Sequence, residues 1–261
     1  MADAVQTFVS VCRGGLNTGS DVLSLGAQTP GAARQLVNYE PNLEGGYRRI
    51  SGFANNYGTV GISGNAGTGA VLGVCIANGI NDGVFAARKP TSGSNYLHRW
   101  DATNSVWVAI TCGGSPTMSN VTKVRFTEIN FGTPKIVLTD GINPAATYDG
   151  TNYVQITDSN TLTDPTMSEE FQTHLFLAGD PAQPSILSFS APTAETDFNP
   201  ANGANEINVG FAIVAIKKFR NVLYIFGSNN IKRLVGNNSS DFRLETVTSN
   251  LGCLATDSVV E

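Results

Sequence analysis

The chain has 261 residues, of which 41% are hydrophobic and 14% charged, against a globular norm of about 25% charged. Its formal charge of −5, with a pI near 5.1, excludes a generic nucleic-acid binder. The 28 glycines and 11 prolines mark many turns, and Asn, Ser and Thr must carry much of the surface, as in turn-dense β proteins and in assemblies of buried subunits.

Residues 1–60 read as an extended arm. Gly14-Gly15-Leu16-Asn17 leads to Pro30-Gly31-Ala32-Ala33-Arg34-Gln35-Leu36, and Glu44-Gly45-Gly46-Tyr47-Arg48-Arg49-Ile50-Ser51-Gly52-Phe53 closes the segment. Glycine pairs and proline divide it into pieces too short to enclose a core. It is expected to pack on the rest of the chain or on a neighbouring subunit. Met1 to Gly15 lacks a basic segment followed by an apolar one, so no signal peptide is expected. Cys12, Cys75, Cys112 and Cys253 show neither CxxC pairing nor metal-ligand spacing, and read as buried or free thiols of a reducing compartment. The apolar run Phe211 to Ile216 is far too short to span a bilayer.

Residues 61–261 read as a second, all-β domain. Val71 to Ala77 is β-prone and ends at Asn78-Gly79; Asp82-Gly83 then precedes Val84-Phe85-Ala86-Ala87. Asn-Gly and Asp-Gly between apolar runs are strong hairpin signals, because both turn positions tolerate φ > 0. Val121 to Ile129 alternates, with Val124 and Phe126 on one face and Lys123 and Arg125 on the other, as in a half-buried strand.

A turn of the form aromatic–Asp–x–Thr–Asn occurs twice, as Trp100-Asp101-Ala102-Thr103-Asn104 and as Tyr148-Asp149-Gly150-Thr151-Asn152. The two copies lie 48 positions apart (148 − 100), within the roughly 40–50 residues of a propeller blade. Three further segments share a strand–turn–strand form: Lys135 to Tyr148, His174 to Phe189, and Asn221 to Val235. Their first strands are taken as the inner ones. Val222 to Phe226 is apolar at every position, which suits a strand sandwiched between neighbouring sheets. Ala32 to Val37 and Asp164 to Phe171 are the only segments with a turn or two of helical pattern, and Asp257-Ser258-Val259 resembles the start of a strand. The expected fold is a β-propeller-like array of short antiparallel sheets behind an extended N-terminal arm. About four units are visible, too few to assume a closed ring of blades, so the chain is readable as the first part of a longer product.

No constellation of catalytic residues stands out. His98 and His174 sit in no G-x-S-x-G elbow and near no marked cysteine, and read as structural. The run Gly64 to Gly73 lacks the Lys-Ser/Thr ending of a phosphate loop and precedes no helix. Glu169-Glu170, Glu195 with Asp197, and Glu206 are carboxylates of the type glycoside hydrolysis needs, but they are expected in solvated loops. Asp101 and Asp149 are expected to fix their turns through backbone N–H groups, as in the Asp-boxes of sialidase propellers, which the turns resemble. Lys217, Lys218, Arg220, Lys232, Arg233 and Arg243 bunch with Asp241 as the single acid among them, and read as a strand surface rather than a DNA contact. No catalytic residue, cofactor or metal site is expected.

Both ends of the chain resemble one family. Gly15-Leu16-Asn17, Leu23-Ser24-Leu25, Pro30-Gly31-Ala32-Ala33, Asn38-Tyr39, Glu44 to Arg49 and Gly52-Phe53 are similar to the opening of bacteriophage tail nozzle proteins. These are also known as tail tubular protein B or packaged-DNA stabilisation proteins of short-tailed phages. Leu223 to Gly236, then Leu251-Gly252-Cys253-Leu254-Ala255 and Asp257-Ser258-Val259, are similar to a signature blade of the same family. The resemblance covers roughly a third of the chain. It implies a structural virion protein without enzyme activity, assembled in the host cytoplasm. It further implies a hexameric ring below the portal and adaptor, contact with other tail proteins including fibres, transient non-specific contact with DNA in the lumen, and no membrane. Relatives usually continue past the position of Glu261. The alternative is a carbohydrate-binding or glycan-cleaving propeller of a phage tail.

Overall fold

Short β-prone runs ended by Gly, Asn or Asp become strands along most of the chain, and no α-helix occurs among the described residues. The computed structural model describes residues 14–19, 31–42, 46–50, 69–80 and 83–259. Expectations placed on Cys12, Leu23 to Pro30, Glu44-Gly45, Gly52-Phe53, Gly64 to Thr68 and Asp82 lie outside these residues. The chain divides into two units, Met1–Asn56 and Tyr57–Glu261.

In the first unit, β1 (Tyr39–Pro41) and β2 (Tyr47–Arg49) form an antiparallel hairpin. Leu16 bridges Ala33, and the Tyr47 hydroxyl donates to the carbonyls of Gly15 and Gly31 at 2.9 and 2.7 Å. Ala32 to Val37 forms no helix, because Gly31 and Asn38 both take positive φ and turn the chain at either end of the stretch.

The second unit is four consecutive antiparallel meanders of four strands each. Sheet 1 comprises β3 (Val71–Ile76), β4 (Val84–Arg88), β5 (Leu97–Asp101) and β6 (Val106–Ala109); sheet 2 comprises β7 (Arg125–Asn130), β8 (Pro134–Thr139), β9 (Ala146–Tyr148) and β10 (Tyr153–Gln155). Sheet 3 comprises β11 (Met167–Phe171), β12 (His174–Ala178), β13 (Ile186–Phe189) and β14 (Asn205–Asn208); sheet 4 comprises β15 (Ala215–Phe219), β16 (Val222–Phe226), β17 (Ile231–Val235) and β18 (Arg243–Thr248). Between sheets, β3 runs beside β7, β7 beside β11, and β11 beside β15. This is a β-propeller-like array in which the first strand of each sheet is the inner one. The segments expected as inner strands, from Lys135, His174 and Asn221, are instead the second strands β8, β12 and β16.

Three apolar clusters fill the three seams. Phe85, Leu97, Val124, Ile136 and Tyr148 lie between sheets 1 and 2; Ile129, Val137, Leu175, Leu177 and Phe198 between 2 and 3; Phe171, Phe176, Phe189, Leu223 and Ile225 between 3 and 4. All five residues of β12 are buried, its alternate side chains serving two different seams. Each such side chain contributes about 1.5–3 kcal/mol on full burial. Val222 to Phe226 departs from the sandwiched pattern: Leu223 and Ile225 are buried, while Tyr224 and Phe226 line an apolar hollow of about 310 Å³ with Phe219, Ile231 and Val247. Val71, Val74 and Ile76 of β3 are likewise exposed.

The repeated Asp turns close the third hairpin of sheets 1 and 2. In each, the N–H groups two and three residues on donate to Oδ1 of Asp101 or Asp149, and the Asn side-chain amide donates to Oδ2. A third copy, Asp140-Gly141-Ile142-Asn143, makes the same three bonds in the β8–β9 connection. Hydrogen bonds from Asn104 and Asn152 hold the Asp101 and Asp149 carboxyls below the usual carboxylate range.

The two-residue turn between β11 and β12 is strained, since Gln172 and Thr173 both take positive φ (50° and 63°). Such turns favour Asn-Gly, and a β-branched residue suits them least. Replacing Gln172→Asn together with Thr173→Gly is expected to stabilise the protein by about 1 kcal/mol, read as a higher urea midpoint at unchanged slope.

Candidate functional site

Because the first strands converge, their side chains line a continuous groove. One hollow of about 540 Å³ is walled by Gly73, Lys123, Arg125, Thr127, Ser168 and Asp257 among others, and one of about 420 Å³ adjoins it at Cys75, Glu128, Glu170 and Lys218. At the first seam the backbones approach closely: the Val124 N–H donates to the Leu72 carbonyl at 3.0 Å, and a Cβ on Gly73 would stand 2.2 Å from the Val124 carbonyl. Only glycine fits there.

The other two seams are joined by polar side chains. Thr127 Oγ1 donates to the Ser168 carbonyl (2.9 Å) and receives the Ser168 hydroxyl proton (2.8 Å), and Arg125 Nη1 donates to the Thr166 carbonyl (3.1 Å). Lys217 pairs with Glu169 at 3.1 Å and Lys218 with Glu170 at 2.6 Å. Burial raises the Glu169 carboxyl above its ordinary range, opposed chiefly by Lys217. Glu169 and Glu170 therefore lie on strand β11, not in a solvated loop, and Asp164 to Phe171 is no helix. Pairing with two lysines from β15 turns this polar stretch into a strand.

A strap crosses the groove. Residues 256–258 form a short 3₁₀ turn rather than the start of a strand. Lys123 Nζ donates to Asp257 Oδ2 at 2.6 Å, and Arg125 Nε donates to Oδ1 at 2.9 Å. Arg125 and Lys123 lower the Asp257 pKa to about 2. Upstream, the Cys253 N–H donates to the Gly227 carbonyl at 2.8 Å, which fixes the strap to sheet 4.

The remaining candidates lie apart. His98 Nδ1 bonds the Tyr96 carbonyl and burial lowers its pKa, keeping the ring neutral. His174 Nδ1 bonds the Ser190 carbonyl at 2.6 Å among the rings of Phe176, Phe189 and Phe242. Glu195 is buried and paired with Lys135, which corrects its expected place in a solvated loop. Asp197 accepts from the Asn199 N–H and the Asn202 side chain, and Glu206 stands on β14. The structure does not bring these acids together across one hollow. Among the basic residues, Lys232 donates to the Val209 carbonyl, Arg233 and Arg243 share Glu245, and Arg220 covers the Phe219 ring. Cys75, Cys112 and Cys253 are free, and burial with the Glu128 charge pushes the Cys75 thiol up to about 11, so it is no thiolate at neutral pH. Among the described residues no group of His, Cys, Asp and Glu has metal-site geometry, and no helix is long and apolar enough to cross a membrane.

Among the described residues, the charged side chains of the groove pair with one another and brace adjacent sheets. No family model matches the chain, and no curated protein matches it. Nine solved chains match, among them one from a crystal structure of BBS1N in complex with ARL6DN, soaked with lead. That match has a TM-score of 0.41 and 9% identity, and it covers 70% of this chain and 57% of that one, so this chain spans just over half its length.

Asp257→Asn is expected to free the strap, read as faster amide exchange at residues 256–258. The sign of its pH dependence follows from the lowered pKa. The contribution is present above the ordinary value of 3.8 and is lost as pH falls from there towards about 2. At 48% exposure the Asp257 side chain is partly screened, so added salt should mimic part of the substitution.

Proposed function

We propose that this chain is a structural subunit of the tail nozzle of a short-tailed bacteriophage. In that reading it sits in a hexameric ring below the portal and adaptor, retains packaged DNA, and forms part of the conduit for genome ejection. The observation that carries the proposal is that the family-like residues, scattered in sequence, bond to one another. Tyr47 holds Gly15 and Gly31 in the first unit; Cys253 bonds Gly227 in the second, and Asp257 then reaches the groove. Residues that cooperate in this way act as one structural device, which supports a resemblance in architecture rather than in composition alone.

The electrostatics agree with a passive conduit. Each phosphate a protein neutralises adds salt-dependent affinity, and a channel that grips DNA would slow its passage. Here Lys123, Arg125, Lys217 and Lys218 are each engaged by a carboxylate.

Electron microscopy of virions and of the purified chain is expected to show a six-fold ring attributable to it; absence of any ring or tail density ends the proposal. Deleting residues 1–53 is expected to block ring assembly while leaving the far-ultraviolet dichroism of the sheets and their melting largely unchanged. Normal virion incorporation of the deletion would refute that role for the arm.

A further inference from the structure

The chain holds two Asn-Gly pairs, Asn78-Gly79 and Asn202-Gly203, and the fold treats them in opposite ways. Such a pair is chemically labile. The backbone nitrogen that follows an asparagine can attack the side-chain Cγ, and glycine hinders that attack least because it has no Cβ.

Asn78-Gly79 lies in the turn that leaves β3. Its flanks are anchored: Ala77 and Ile80 are buried, and the Ala77 N–H donates to the Gly83 carbonyl at 2.6 Å. Asn78 and Gly79 themselves are exposed, and Gly79 takes positive φ (82°). Among the described residues, neither the Asn78 side chain nor the Gly79 N–H has a hydrogen-bond partner. The attacking nitrogen and the amide it must reach are both unengaged, on a turn held at its two ends.

Asn202 is exposed as well, so access does not separate the two pairs. Hydrogen bonding does. Asn202 closes the 3₁₀ turn Pro200–Asn202, and its side-chain amide donates to Asp197 Oδ2 at 2.6 Å. The Gly203 N–H donates to the Pro200 carbonyl at 3.2 Å. Attack there must first break both bonds.

We propose that Asn78 is a site of spontaneous deamidation in the folded protein, while the fold protects Asn202. Gly79 N loses its proton to a solvent base and forms a bond to Asn78 Cγ. The Cγ–Nδ2 bond breaks, and ammonia leaves after taking a proton from water. Water then opens the cyclic succinimide at either carbonyl, giving aspartate or, with an extra methylene in the main chain, isoaspartate. Nothing is oxidised or reduced. The product charge falls in a hollow of about 410 Å³ that Asn78 lines with Glu128, Lys135 and Glu170. Lys135 already pairs with Glu195, and Glu170 with Lys218, so the new carboxylate joins two others on a wall whose lysine is already engaged. This inference stands on the two turns alone and is independent of the nozzle reading.

The test is peptide mapping of the full chain aged in mildly alkaline buffer at physiological temperature, native and unfolded in urea, with enzymatic methylation of isoaspartate as a second readout. In the native protein, conversion at 78 is expected to run at least about tenfold faster than at 202, the rate equivalent of one hydrogen bond broken before attack. In urea the two rates are expected to converge. An acidic species on ion exchange is expected from the aged native chain and not from Asn78→Ser. Conversion at 202 as fast as at 78 in the native protein would overturn the proposal. So would an Asn78 that stays intact when native but converts in urea, or an acidic species that forms equally in Asn78→Ser.

Discussion

A sheet whose central strands are apolar on both faces must have a neighbour on each side, and most of this fold follows from that need. Strand β12 is the clearest case: Phe176 belongs to the seam with sheet 4, and Leu175 and Leu177 to the seam with sheet 2. Neither set can be buried by sheet 3 folding alone. Stability is therefore shared between nearest neighbours, as in repeat proteins, and damage to one seam weakens the two sheets beside it. The inner edges, where backbones come closest, meet a different demand. There glycine at position 73 and the small hydroxyls of Thr127 and Ser168 allow strands to lie side by side without leaving polar groups unpaired.

Much of the architecture was legible in the sequence because turn chemistry is local. Asp101 and Asp149 declared their hairpins, and with them the blade period, through side chains that bond backbone only two and three residues away. Asp140 makes the same turn but escapes the pattern, since no aromatic precedes it and isoleucine replaces threonine. What failed was whatever depended on distant partners. Glu169 and Glu170 look like loop residues until Lys217 and Lys218, far along the chain, arrive on the next sheet. Val222 to Phe226 erred in the opposite direction: its composition is that of a strand buried twice, yet Tyr224 and Phe226 line an open hollow.

The candidate sites were less legible than the fold. The groove is assembled from four first strands, and β7, β11 and β15 carry polar residues whose pairing is invisible in any short window. Glu206 reads in the sequence only as a carboxylate by type, and the structure places it on strand β14. Both histidine rings bond a backbone carbonyl in a buried setting.

The strap changes how the array would answer to force. Sheets 2 and 4 are connected twice, once through sheet 3 and once through the short segment between Cys253 and Asp257. Those two paths make a closed mechanical circuit around the middle of the array. Spreading either seam of sheet 3 at its inner edge therefore also loads the strap. Its half-exposed ionic end at Arg125 and Lys123 is the salt-sensitive link of that circuit.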